Sequence, residues 1–415
     1  MKRSGPVGVK VNMIKYGLPG LIVVSLLLIF ATVFVSSRHY FAPTVFPRFL
    51  YFLKISVFLN LAALMISLRS KKIRISLSDL FVLGLLMYVT IHYVLTVYAV
   101  YKEGWGTLLL LGNLYFFIRL YSVAWPYTRS VLYVVLVLTG IVESVFGYLQ
   151  LYGVVRSFHA YQALTGSFYN PGPLSCYLGF ILCMALGYLV KYHHVHVNIK
   201  TAALGRKFTF YLTLFFIMIC LPLIPVSMSR SAWVAISFTV LFIFINEKRG
   251  GLWDKYKMMI PRRWAYCLGF FCILILLGGL YGVYHVKKES ADARLHIWRN
   301  SLEIVKVNPV WGAGIGSFGK FYPEIQAENL AGPAVTAEKI ARADYPMCPF
   351  NEYLYIWVEL GVVGLLLFLA CLFLALKGIR RRSSVFQYGL LSVLIFACTS
   401  YPFQILPIQL LIVIS

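Results

Sequence analysis

The chain has 415 residues, of which 60% are hydrophobic and 13% charged, whereas a soluble domain has roughly 45–50% apolar and about 25% charged residues. Aromatic residues make up 16% and the mean hydropathy is +0.80, which excludes a soluble globule and a disordered chain. The formal net charge of +24 would suggest a nucleic-acid partner in a soluble protein. In a chain this apolar the positions of the charges decide their meaning, and we expect a polytopic membrane protein.

Long apolar runs predict an all-α architecture with 11–12 transmembrane helices. Runs of about 17–25 apolar residues can cross a bilayer, where each backbone amide must be hydrogen-bonded within its own segment. The first run is too long for the core of a signal peptide and has no cleavage pattern, so we expect it to be retained. The last run, 404–415, is shorter than a bilayer crossing, so either the chain continues after Ser415 or it ends in the membrane interface. The first run is 17–36. The segments between it and the last run are 46–67, 78–100, 106–122, 130–153, 173–191, 208–226, 231–246, 264–286, 352–376 and 385–403.

Lysine and arginine are unevenly distributed between alternate loops. With the N-terminus in the cytoplasm, one side of the membrane collects 24 of the 38 basic residues, most of them in loops 69–74, 191–207, 248–263 and 377–382. Such an asymmetry is the positive-inside pattern and favours contact with anionic lipids. The charges therefore predict a multi-pass inner-membrane protein with a cytoplasmic N-terminus and no nucleic-acid partner.

One long loop separates two groups of membrane segments, so we divide the chain into 1–286, 287–351 and 352–415. Loops beyond about 12–15 residues are usually functional or disordered, and this one lies on the outer side of the predicted topology. Residues 292–307 carry apolar side chains at steps of three and four, which predicts an amphipathic helix that Asn308 and Pro309 end. Its apolar positions are Leu295, Trp298, Leu302 and Val305, and its polar positions are Asp292, His296, Arg299 and Glu303. The glycines that follow, Gly312, Gly314 and Gly316, predict a flexible turn where backbone can approach a ligand closely.

The cysteines and histidines predict no metal site. Of the eight cysteines only Cys348 lies in an outer loop, and the others lie mostly inside predicted helices, where a thiol behaves as a small apolar residue. No pair or cluster has zinc-ligand spacing. His193, His194 and His196 fall in a basic cytoplasmic loop without a nearby carboxylate, which is typical of a solvated loop. We therefore expect neither a metal nor an organic cofactor.

Ionisable residues at membrane depth are costly and are candidate site residues. Arg230 lies at the outer end of two short segments joined by a tight hairpin, and is either a site residue or an arginine that extends to the outer headgroups. Glu143, inside the fifth segment, is either a buried, hydrogen-bonded acid or a catalytic one. Glu352 and Glu359, seven residues apart on one helix face, either point into the bundle or belong to a helix start capped at Asn351.

Four outward-facing elements converge in the predicted topology and resemble motifs of a known superfamily. They are Thr165-Gly166-Ser167-Phe168-Tyr169-Asn170-Pro171, the hairpin Ser227-Met228-Ser229-Arg230-Ser231-Ala232-Trp233, the helix from Arg294 that ends before Gly312, and Phe350-Asn351-Glu352-Tyr353-Leu354. In this order, over roughly residues 160–375, they are similar to the motifs of the bacterial O-antigen ligase and polymerase superfamily.

The resemblance implies an inverting, metal-independent membrane glycosyltransferase that works at the periplasmic face on a glycan carried by undecaprenyl pyrophosphate. It assigns the two pyrophosphate-binding arginines to Arg230 and Arg294, in agreement with the forked, fixed positive charge that such a leaving group needs. The family histidine before the asparagine is replaced here by Phe350, so other residues must activate the acceptor. The candidates by proximity in sequence are His296, Glu352 and Asp344. Further substrate contacts are expected from Asn170, Trp298 and Asn351.

The acceptor is open between three possibilities. Ligases of this superfamily attach the glycan to the lipid A core, polymerases extend it on a second lipid-linked unit, and protein oligosaccharyltransferases attach it to Ser or Thr. We favour the ligase-like reading. A polysaccharide flippase or other transporter is the alternative from a different class, but the sequence shows no repeated halves of the kind that transporters have.

Overall fold

A computed structural model describes residues 17–37, 39–40, 42–67, 75–96, 102–192, 203–247, 288–331, 345–377 and 384–415. These residues form fourteen α-helices and no strands, which confirms an all-α polytopic membrane protein. The helices are α1 (Leu18–Ala31), α2 (Phe46–Ser67), α3 (Leu77–Leu95), α4 (Lys102–Ala124), α5 (Thr128–Leu151), α6 (Pro171–Lys191), α7 (Leu204–Cys220), α8 (Leu223–Val226), α9 (Arg230–Glu247), α10 (Lys288–Val307), α11 (Phe318–Ala331), α12 (Glu352–Leu376), α13 (Phe386–Ala397) and α14 (Leu406–Ile414).

The predicted membrane segments coincide with these helices to within a few residues, except where 385–403 ends as a helix at Ala397. Among the described residues, seven helices are long and apolar enough to cross a membrane, and three shorter apolar helices accompany them. The predicted segment 264–286 lies outside the described residues, as do His193, His194 and His196. The stub 404–415 contains a helix, α14, that begins after a short 3₁₀ turn at Pro402–Gln404.

Helix α6 lies at the centre of the bundle and packs against α5, α7, α9, α13 and α14. It is apolar around its whole circumference, as expected of a helix that is surrounded by others. Small residues allow the close approach. A Cβ added to Gly187 would meet the ring of Tyr388, and one added to Gly389 would meet the ring of Phe180 at 2.8 Å.

The described part of the long loop, residues 288–331, forms a helical pair against α12. The predicted amphipathic helix is present as α10, and it ends at Val307, directly before Asn308 and Pro309. A second helix, α11, was not predicted from the sequence. Helices α10, α11 and α12 enclose a separate small core that includes Ile297, Phe318 and Val358.

The glycine run approaches the backbone of α12. Helix α12 is broken at Gly361, which has φ 66° and ψ −176°, and the break releases backbone groups from the helical ladder. The carbonyl of Val358 accepts the N–H of Ala313 at 2.8 Å, and the carbonyl of Glu359 accepts the N–H of Gly314 at 3.0 Å. The sequence predicted a flexible turn facing a ligand, whereas these backbone groups are engaged by another helix.

Candidate active site

A polar cavity of about 210 Å³ lies where the four motifs meet. The loop before α6, the α8–α9 hairpin, α10 and the segment before α12 each contribute to its wall, and residues near 159 and 400 complete it. No aspartate or glutamate is found among its described lining residues. They are His159, Gln162, Asn170, Pro171, Gly172, Ser227, Met228, Ser229, Arg230, Ser231, Arg294, Phe350, Ser400 and Tyr401.

The two predicted arginines share this cavity. Arg294 donates from Nη1 to the carbonyl of Thr399 at 2.7 Å, and its guanidinium lies 5.4 Å from the ring centre of Phe350. Burial lowers the pKa of Arg294, and the positive charge of Arg230 lowers this pKa further. The fold therefore holds two like charges near each other, an arrangement that an anionic ligand would stabilise.

The tight hairpin that carries Arg230 has an unusual backbone conformation and is held by a side-chain hydrogen bond. Met228 adopts φ 54°, an uncommon left-handed conformation for a residue other than glycine. The indole N–H of Trp233 donates to the carbonyl of Ile224 at 2.9 Å, so the tryptophan of the Ser-Arg-x-Ala-Trp motif ties α9 to α8. The sequence thus places Arg230 at the first residue of α9, at the cavity wall.

Buried polar side chains of α5 hold the loop that precedes α6. The side-chain carbonyl of Gln150 accepts the N–H groups of Thr165 and Gly166 at 2.9 and 2.7 Å. The carboxylate of Glu143 accepts the N–H of Ser167 at 3.0 Å. Asn170 then caps α6 by accepting the N–H of Gly172 at 3.1 Å. Glu143 thus lies behind the loop as a buried, hydrogen-bonded acid.

Arg48 is a buried arginine that the sequence analysis did not identify. It is 2% exposed near the start of α2, and it donates to the carbonyls of Val33 and Ser167 at 2.6 and 2.7 Å. It also lies 5.0 Å from the ring centre of Phe168. An arginine inside an apolar run was the signal that could have revealed it.

A second, much larger cavity of about 1700 Å³ adjoins the polar one. Its walls are mainly apolar side chains of α2, α3, α4, α12 and α14, and Arg48 and Phe168 also line it. Asn170, Phe350 and Tyr401 line both cavities. The rings of Phe350 and Tyr401 stand 5.5 Å apart at the junction between the small polar cavity and the large, mainly apolar one.

The predicted site residues are only partly brought together. Arg230, Arg294 and Asn170 line the polar cavity. Glu352 lines the large cavity, where its carboxylate accepts the N–H of Phe403 at 2.7 Å and the side-chain amide of Gln404 at 3.2 Å.

Three other predicted site residues, His296, Trp298 and Asn351, do not line the polar cavity. His296 is two residues from Arg294 on α10, hence on the opposite side of the helix, and its Nε2 lies 3.3 Å from the amide of Asn300. Trp298 donates to the carbonyl of Pro349 at 2.8 Å, and Asn351 caps α12 by accepting the N–H of Leu354 at 3.1 Å. Asp344 lies outside the described residues.

His159 and Tyr401 are among the cavity residues that sequence reasoning missed, together with Gln162 and Ser400. His159 stands in an irregular loop, and Tyr401 stands near the end of the predicted segment 385–403, beyond the last residue of α13. Tyr401 lies two residues after Thr399, whose carbonyl accepts a hydrogen bond from Arg294. The hydroxyl of Tyr401 makes no hydrogen bond with the described residues. Within those residues no three His, Cys, Asp or Glu side chains are grouped so that they could hold a metal ion.

Comparison with known families identifies the part of the chain that contains most of these elements. The family model of the O-antigen ligase family matches residues 214–369, which include the Arg230 hairpin, α10 and most of α12. The resemblance to this superfamily is confirmed over that range. It supports a glycosyltransferase-like enzyme of the O-antigen ligase or polymerase type, embedded in a membrane by several helices. No protein of curated function matches the chain.

Proposed function

We propose that this protein transfers a glycan from undecaprenyl pyrophosphate to an acceptor hydroxyl, with the lipid A core as the favoured acceptor. The observation that carries this proposal is the junction of two unlike cavities. One is small, polar and holds Arg230 and Arg294, and the other is large and lined mainly by apolar side chains. A pyrophosphate with a long polyprenyl tail has the same division of polarity, so one molecule could occupy both compartments.

The arginine pair would act on the leaving group. In an inverting transfer, the acceptor oxygen forms a bond to the anomeric carbon as the bond from that carbon to the phosphate oxygen breaks. Negative charge then grows on undecaprenyl pyrophosphate, and Arg230 and Arg294 would stabilise it with forked donors. Because the two arginines would offset the negative charge of the leaving group, this mechanism requires no divalent ion.

The acceptor hydroxyl must also lose a proton. Of the three residues predicted for this role, Glu352 lines the large cavity together with Phe350 and Tyr401, which supports it over His296. Asn170 would contact the substrate from the junction of the cavities. Trp298 and Asn351 would support the site through Pro349 and the start of α12.

The positive-inside asymmetry supports a site on the periplasmic face of the inner membrane, where lipid-linked glycans meet their acceptors. The partners would then be the lipid-linked donor, the acceptor and the surrounding lipids. A polymerase or a protein O-oligosaccharyltransferase would use the same donor and leaving group, so the acceptor alone distinguishes the three.

Transfer by purified protein in detergent tests the proposal. We expect the wild-type protein to move glycan from undecaprenyl pyrophosphate to lipid A core, detected as a mass increase of the acceptor. Parallel reactions with a second lipid-linked unit and with a serine-containing protein identify the other two acceptors. A flippase would give no transfer to any acceptor, because transport has no product in detergent.

A further inference from the structure

His159 lines the polar cavity together with Arg230 and Arg294, in a loop outside every motif discussed so far. Its ring packs against Tyr169, with ring centres 5.7 Å apart. Its Nδ1 accepts the backbone N–H of Tyr161 at 3.1 Å. The ring is therefore held by its own loop, and Nε2 is the only polar atom of the ring left for a ligand.

The hydrogen bond to Nδ1 determines what Nε2 can do. A neutral imidazole has one protonated and one unprotonated nitrogen, and the nitrogen that accepts a hydrogen bond must be the unprotonated one. The tautomer assigned from this bond carries its proton on Nε2. In this tautomer the ring presents an N–H to the cavity, which suits a hydrogen-bond donor and not a proton acceptor. Nε2 makes no hydrogen bond with the described residues.

We propose that His159 binds a phosphate oxygen of the donor pyrophosphate through Nε2–H, as a third donor beside Arg230 and Arg294. The inference rests on the proposed lipid-pyrophosphate substrate. The cavity chemistry supports it, since the described wall combines two cations with hydroxyl and amide groups and includes no carboxylate. A neutral donor adds a directed hydrogen bond to an anion without adding a third like charge.

Two substitutions of His159 distinguish the acceptor role of Nδ1 from the donor role of Nε2. His159→Asn keeps an oxygen near Nδ1 that can accept the N–H of Tyr161, but it lacks a donor at the position of Nε2. His159→Gln can place an amide N–H near that position. His39→Ala is the matched control, because His39 is exposed in another loop and lines neither cavity.

The experiment measures binding of farnesyl pyrophosphate to the full-length protein in detergent by calorimetry, with the melting temperature as the check on folding. We expect His159→Asn to bind about tenfold or more weakly at an unchanged melting temperature, since hydrogen bonds to charged groups contribute on this scale. His159→Gln should bind within about threefold of wild type, and His39→Ala should bind as wild type. Unchanged binding by His159→Asn overturns the proposal, and so does a His159→Gln variant as weak as His159→Asn.

A transfer assay on the same proteins distinguishes the proposed function, glycan transfer, from the inferred role of His159 in pyrophosphate binding. If wild-type protein binds farnesyl pyrophosphate with the predicted dependence on His159 but transfers no glycan, the proposed function fails and the inference stands. If wild-type protein transfers glycan and His159→Asn binds and transfers normally, the inference fails and the function stands. Absence of farnesyl pyrophosphate binding by wild-type protein overturns the inference, and absence of transfer to every acceptor overturns the proposed function.

Discussion

Arg294 is held in a partly buried position that an isolated surface arginine would not adopt. One of its nitrogens binds the carbonyl of Thr399, its plane lies near Phe350, and Arg230 is close enough to lower its pKa. Among the described residues no carboxylate forms an ion pair with it. Like charges held together oppose folding, and such an arrangement is typical of a site that is completed by an anion.

Replacing either arginine by lysine keeps the charge and removes the fork that can engage two phosphate oxygens. We expect Arg230→Lys and Arg294→Lys each to lower the transfer rate by about 10²–10³, the scale of losing one donor to a developing anion, with a smaller effect on donor binding. Steady-state kinetics at matched protein levels measures both quantities.

Arg299→Lys is the control for this pair. Arg299 is exposed on the same helix and lines neither cavity, so its substitution should leave transfer within about twofold of wild type. Near-normal transfer by both Arg230→Lys and Arg294→Lys would contradict the role proposed for these arginines at the leaving group, as would an equal loss of transfer in Arg299→Lys.

Catalysis should not depend on a divalent ion if guanidinium groups offset the charge of the leaving group. We expect EDTA to leave the transfer rate within about twofold of the untreated value, and added Mg²⁺ or Mn²⁺ to have no larger effect. The contrary result is loss of transfer with EDTA that Mg²⁺ or Mn²⁺ restores. Glu324, Glu328 and Glu338 would then be the acids to examine, although Glu338 lies outside the described residues.

At the scale of elements, the break in α12 accounts both for the glycine at position 361 and for the glycine run after α10 that contacts it. At the break, the carbonyls of Val358 and Glu359 accept the N–H groups of Ala313 and Gly314, and the hydroxyl of Tyr88 donates to the carbonyl of Leu360 at 2.8 Å. The N–H of Val362 is accepted by Pro309 at 3.0 Å. The freed backbone groups are thus satisfied by the loop after α10 and by α3, as burial requires.

Gly361→Ala should disrupt this junction. Its φ of 66° disfavours any side chain, and an added Cβ would lie 2.5 Å from the backbone carbon of Trp311, where nothing flexible can move aside. We expect the variant to unfold at a clearly lower temperature in detergent and to lose transfer, because α10 carries Arg294. Thermal unfolding followed by tryptophan fluorescence measures the change.

Gly84→Ala is the matched control, since Gly84 lies within α3 and an added Cβ meets nothing within 4 Å. This variant should melt at or slightly above the wild-type temperature, because alanine favours the helix over glycine. Equal stability of the two variants would contradict the role assigned to Gly361.

Sequence periodicity was sufficient to predict the long apolar helices and α10, but it missed α11 and could not predict how the polar residues pair. The apolar runs and the Asn308-Pro309 stop located helix ends because these depend on local residues. The bonds from Gln150 and Glu143 to the loop at 165–167 join α5 to residues that follow it only after a long irregular segment. No spacing rule relates such partners, and the same holds for His159 at the polar cavity.

At the scale of the whole molecule, the proposed function depends on which side of the membrane the cavity faces. The charge asymmetry predicts that α10 and α11 lie outside and that the loop 248–263 lies inside. Cysteine labelling in intact cells tests this arrangement with one residue from each side. Glu328 is exposed on α11, and Lys255 belongs to the basic loop, which lies outside the described residues. Cys348 is changed to serine in both proteins, because it lies in the same predicted outer loop as Glu328.

We expect a thiol reagent that passes the outer but not the inner membrane to modify Glu328→Cys and to leave Lys255→Cys unmodified until the cells are opened. The opposite pattern would place the cavity of Arg230 and Arg294 on the cytoplasmic side. The arginine pair could then still bind a lipid pyrophosphate, but an acceptor displayed only at the periplasmic face could not reach it. Transfer to lipid A core would be excluded, whereas anion binding in the cavity would remain, so the labelling result separates the location of the reaction from the chemistry of the site.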